Sequence, residues 1–112
     1  MKLIKQYDNK VIYLMGDKWT ISEDYNLQDE EEAYGMVDYD SMHIRISPTM
    51  TPSKKLKVLM HEIAHILYDK TCRMWGTGKK DKQEEVFCEL FEEFAYSMIT
   101  ENNFSKLEEK KK

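Results

Sequence analysis

His61-Glu62-Ile63-Ala64-His65 is the stretch of this sequence whose residue types and spacing spell out a reaction. An α-helix turns by about 100° per residue, so two histidines four apart project from nearly one direction and reach a single metal ion together. Glu62 falls about 100° round from His61, beside such an ion and not on it. There its carboxylate accepts a proton from activated water, the general-base role of a zinc peptidase. Hydrolytic zinc takes three protein ligands and keeps a fourth position for water, so a third ligand must come from elsewhere in the chain.

His43 is the remaining histidine, and it lies upstream in a segment patterned as a strand. Downstream, Glu84, Glu85, Glu89, Glu92 and Glu93 sit in a second helical segment. On a helical wheel Glu84 shares a side with Phe87, Cys88 and Phe91, whereas Glu85, Glu89 and Glu92 read as a solvated face. A buried carboxylate needs a partner, and zinc would be one. Glu84 is therefore the expected third ligand, with Glu85 and Glu89 as alternatives; a capping box with Asp81 as N-cap is the plain structural reading of Glu84. Cys88 is a soft ligand in reach of the same region, or simply a small core residue.

The elements that must position these groups follow from periodicity. Val11 to Met15 is a β-rich apolar run ended by Gly16-Asp17, and Trp19 to Ile21 resumes it, the pattern of two strands around a tight turn. Ser22 to Glu32 turns polar, and its acidic run Asp29-Glu30-Glu31-Glu32 reads as a solvated loop. Tyr34 to Tyr39 and Met42 to Ser47 flank Asp40-Ser41, and Met42, Ile44 and Ile46 alternate with His43, Arg45 and Ser47 as in a half-buried hairpin strand. Thr51 as N-cap with Pro52 at the first helical position opens a helix over Ser53 to about Lys70, whose stripe is Leu56, Leu59, Ile63, Ile66 and Leu67. The two histidines border that stripe. Thr71 to Asp81 reads as a loop, and a second helix spans about Asp81 to Thr100, burying Phe87, Leu90, Phe91, Phe94 and Met98.

Length and charge bound the rest. A chain of 112 residues, 41% hydrophobic and 34% charged, is ample for one domain and short for two. Residues 1-100 are expected to form that domain, and 101-112, ending in Lys110-Lys111-Lys112, a charged tail that frays. A net charge of −4 disfavours direct nucleic-acid binding through phosphates. No run of roughly 18 to 20 apolar residues suggests a membrane span, and Met1 to Gln6 lacks a signal peptide's apolar stretch, so a cytoplasmic location is expected. Cys72 and Cys88 are then expected as reduced thiols.

The His61–His65 helix, preceded by the hairpin from Tyr34-Gly35-Met36-Val37-Asp38-Tyr39-Asp40 to Ile44-Arg45-Ile46 and followed by Glu84-Glu85-Val86-Phe87-Cys88-Glu89-Leu90-Phe91, resembles the small ImmA/IrrE-type metallopeptidases, including stand-alone phage-type members. The resemblance covers about residues 34 to 98. It implies a gluzincin-like fold with His61, His65 and Glu84 on Zn²⁺, Glu84 matching through Phe87, Leu90 and Phe91 at +3, +6 and +7. Where that family often has an acid or amide at +4 from the ligand, this chain has Cys88. The expectation is an α+β, minimal zincin-like domain: a small, mainly antiparallel sheet packed against the His61–His65 helix and a second, ligand-bearing helix. Its function would be endopeptidase cleavage of a protein or peptide substrate, with Glu62 as base and Tyr68 or His43 conceivable at the oxyanion. The alternative is a non-catalytic, zinc-stabilised protein-binding module.

Overall fold

In a computed structural model of the chain, which describes residues 6–25, 27, 34–74, 82–103 and 106, two hairpins precede two helices. Strands β1 (Lys10–Leu14) and β2 (Asp17–Glu23) pair antiparallel, with Leu14 opposite Asp17. Both turn residues between them have positive φ, 50° at Met15 and 88° at Gly16. This is the turn geometry whose twist matches the flanking strands, and glycine adopts it without steric cost. Strands β3 (Gly35–Asp38) and β4 (His43–Ile46) form the second hairpin. In its turn the Asp38 carboxylate accepts the main-chain N–H groups of Asp40 at 3.1 Å and Ser41 at 3.3 Å. Hydrogen bonds from Ser41 hold the Asp38 carboxyl below its ordinary range.

The strand order is β1-β2-β4-β3, and β4 lies parallel to β2. The expected antiparallel pairings are present within each hairpin, but the seam between the hairpins is parallel, so the sheet is mixed. The chain reverses between β2 and β3, and β4 then inserts between them. Alternation along a strand specifies its faces and says nothing about which hairpins become neighbours.

Helix α1 (Pro52–Met74) begins as expected, with Pro52 in the first turn and the Thr51 hydroxyl accepting the Lys54 N–H at 3.3 Å. It runs past the expected end near Lys70, as far as Met74. Helix α2 (Lys82–Glu101) follows. Asp81, the acidic run Asp29–Glu32 and most of the tail lie outside the described residues. Trp19, Ile21, Ile44 and Ile46 on one face of the sheet meet Leu59, Met60, Ile63 and Ile66 of α1 and Ala95 of α2. The result is a small α+β unit with the helices on one face of a four-stranded sheet. No helix among the described residues is long and apolar enough to cross a membrane.

The buried side of α2 differs from the expected one. Leu90 and Phe94 are 68% and 64% exposed and Met98 is 38% exposed, while Glu84, Cys88 and Ala95 are buried. Phe91 packs only partly against the core. The apolar arc of α2 is wider than one partner helix can cover, and the seam settles where small side chains let the backbones approach. The polar stretch also differs at its start, because Glu23 and Leu27 are buried.

Glu23 is buried because it is paired. Its Oε1 lies 2.6 Å from Lys55 Nζ, with both side chains almost fully enclosed, and its Oε2 accepts the Tyr7 N–H at 2.8 Å. Removing one partner would strand a buried charge, which typically costs about 3–5 kcal/mol. Lys55→Met should therefore lower the unfolding free energy by about that amount in chemical denaturation, and Lys55→Met with Glu23→Gln should recover part of the loss. A single variant as stable as the wild type would contradict the pairing.

Candidate functional site

His61 and His65 stand one turn apart on α1, their ring centroids 4.9 Å apart and their planes at 71°. Glu62 turns the other way, toward the sheet, and is 7% exposed. It reaches that position because β3 passes close to the helix at Gly35. A Cβ at Gly35 would lie 2.8 Å from Val58 Cγ1 and 2.9 Å from Glu62 Cγ, closer than packed atoms allow. Glu62 Oε2 is buried with no hydrogen-bond partner among the described residues. Burial raises the Glu62 pKa, and the neighbouring His65 and His61 oppose that shift.

Helix α2 brings carboxylates to both histidines. Glu84 Oε2 is 2.7 Å from His65 Nδ1, and Glu92 Oε1 is 3.2 Å from His61 Nδ1. Glu85 faces the other ring nitrogens, at 3.3 Å from His65 Nε2 and 3.6 Å from His61 Nε2. An ionised carboxylate only accepts, so the Nδ1–H of each imidazole donates to Glu84 or Glu92. In a neutral ring the Nε2 lone pair then points toward Glu85. Two lone pairs and a carboxylate facing one another form a donor set that a metal ion could share.

The expected ligand Glu84 is buried and on His65, as its side of the wheel implied. Glu85 and Glu92, read as solvated, also reach the histidines, although Glu85 stays 59% exposed. Glu89 is exposed. His43 lies on the far face of the sheet, its Nε2 2.8 Å from Ser22 Oγ, and Tyr68 packs on the Phe87 ring at 5.5 Å. Cys88 is fully buried on the α2 seam, and burial pushes its thiol up to about 12.

Two grooves flank Glu62 and His65. One, of about 310 Å³, is bordered by Tyr34, Gly35, Val58, His61 and Glu92. The other, of about 300 Å³, is bordered by Val37, Tyr39, Glu84 and Glu85. Sequence reasoning missed Tyr39, whose phenol burial holds protonated above its ordinary range. Its ring lies against Trp19 at 6.3 Å, and no motif marks it. Glu92 was findable, being two turns beyond Glu85 on the same seam. A larger cavity of about 420 Å³, between Trp19 and Lys70, touches neither histidine.

Compared with known protein families, with curated proteins and with solved structures, the chain matches none.

The close approach at Gly35 is open to a direct check. Gly35→Ala should overpack the α1–β3 contact and destabilise the fold by about 1–3 kcal/mol, read as a lower melting temperature. An unchanged melting temperature would mean that β3 does not pass this close to Glu62.

Proposed function

We propose that the protein is a zinc-dependent metalloendopeptidase of the ImmA/IrrE-like, gluzincin type, with the metal held between α1 and α2. The observation that carries this reading is the convergence of both Nε2 atoms on a carboxylate of the second helix, at 3.3 and 3.6 Å, beside the unpartnered carboxylate of Glu62. The donor set fits zinc, which favours imidazole and carboxylate ligands. His61 and His65 provide the imidazoles. The third ligand comes from the adjacent pair Glu84 and Glu85: Glu84 by its burial and its contact with His65, Glu85 by facing both Nε2 atoms. Where Glu85 ligates, Glu84 and Glu92 each orient a ring through its Nδ1–H, the arrangement that keeps metal-binding histidines in one tautomer.

Bound there, zinc supplies Lewis acidity to a peptide carbonyl and to water. The rest of the chemistry falls to side chains of this chain. Glu62 accepts a proton from the attacking water at its free Oε2 and returns it to the leaving amine. Strand β3 is at the sheet edge, and its Gly35 and Val37 border the two grooves. An extended peptide added along that edge would lie beside Glu62, held by main-chain hydrogen bonds. A second reading, a non-catalytic zinc-stabilised protein-binding module, is favoured by Cys88, whose sulfur lies within 4.8 Å of a nitrogen of each histidine.

Glu62→Gln separates the two readings. The amide preserves size and cannot take a proton, so zinc content should stay near one ion per chain while hydrolysis falls by roughly 10²- to 10⁴-fold. Glu84→Gln and Glu85→Gln should instead weaken zinc binding, by roughly 10- to 100-fold, whereas Glu89→Gln should not. Substrates would be found as proteins cleaved in cells expressing the wild type and spared in cells expressing Glu62→Gln. Equal activity of those two proteins would establish the binding module, and loss of zinc from Glu62→Gln would mean that Glu62 is a ligand.

A further inference from the structure

We propose that Cys88 is itself a metal ligand, and that its sulfur holds the position an open catalytic site leaves to water. The inference rests on the metal-site reading above. One ligand atom each from His61, His65 and Cys88 lies within 4.8 Å of the other two, and a second such group, His65 with Glu84 and Glu85, shares His65 with the first. Cys88 is fully buried, one turn beyond Glu84 on the seam that faces α1. A thiol there has an ordinary use as a small side chain that lets two helices approach, as Ala95 does two turns later.

What distinguishes the site from packing is its company. Glu62, with more than nine-tenths of its surface buried and its Oε2 unpartnered, borders the same groove as both histidines. Burying a polar group that lacks a partner is expensive, and a cation would supply one. Sulfur adds selectivity: thiolate favours zinc over the hard cations that carboxylates alone would accept. His61, His65 and Cys88 would supply three ligand atoms, and a carboxylate from the group that shares His65 would be the fourth of a tetrahedral set. The resting protein is then closed, and hydrolysis requires the sulfur to leave. Binding breaks the S–H bond, forms an S–metal bond and releases the proton to solvent, with no change of oxidation state.

The test uses the full chain carrying Cys72→Ser, so that any thiolate signal belongs to Cys88. Loaded with Co²⁺ as a probe, it should show a sulfur-to-cobalt charge-transfer band in the near ultraviolet, and adding Cys88→Ser should abolish the band while the visible cobalt absorption remains. X-ray absorption at the zinc edge of the Cys72→Ser protein should show a sulfur shell near 2.3 Å beside nitrogen and oxygen near 2.0–2.2 Å, a readout that stands even if Cys88→Ser does not fold. Bound metal without any sulfur signal would overturn the Cys88 assignment and leave the His61–His65 site intact. A protein that binds neither Co²⁺ nor Zn²⁺ would overturn both.

Discussion

The ion pair between Lys55 and Glu23 is the constraint from which the site follows. Two charges enclosed at 2.6 Å lose their hydration, at several kcal/mol per ion, and only a well-placed partner offsets that. The pair therefore tolerates little rotation of α1 against the end of β2. Lys55, Leu59, Glu62 and Ile66 fall on one stripe of the helix, because about seven residues make two turns. Fixing Lys55 on the sheet fixes Glu62 on it as well, beside Gly35, and leaves His61 and His65 about 100° and about 60° away on the same side, turned to α2. The second carboxylate oxygen of Glu23 extends the same constraint to the chain before β1 through the Tyr7 N–H.

Once α1 is oriented, the chemistry is a matter of charge. Glu84, Glu85 and Glu92 approach the two imidazoles and Glu62 lies beside them, so positive charge among them would relieve the repulsion between the acids. Small side chains on α2 allow this crowding: Cys88 and Ala95 bring the helix close enough for Glu84 to reach His65 at 2.7 Å. The cost shows on the opposite side of α2, where Leu90 and Phe94 remain exposed. The helix meets its partner along the seam that carries the acids, and its most apolar arc is left outside.

Much of this was readable in the residues. Thr51-Pro52 marks the start of α1, Gly16-Asp17 marks the first hairpin although its turn lies one residue earlier at Met15-Gly16, and the spacing of His61, Glu62 and His65 puts the two rings on one side with the carboxylate apart from them. Those features depend on local geometry. The parallel seam between β2 and β4, the burial of Glu23 and the facing of α2 depend on contacts between distant segments, and local pattern carries no information on them. The wheel of α2 assumed that its most apolar arc packs; it identified Glu84 as buried and misjudged Glu92, because the seam is set by side-chain size as much as by hydrophobicity. Tyr39 could not be found from sequence, since it borders the site through a turn between strands.

The central claim is that α1 and α2 enclose one zinc ion. Diffraction from crystals grown with Zn²⁺, recorded on either side of the zinc absorption edge, tests it most directly. A single strong anomalous peak bounded by His61, His65 and the α2 acids Glu84 and Glu85 is the expected result. A map with no peak there, with the four side chains ordered and linked by hydrogen bonds alone, would contradict it.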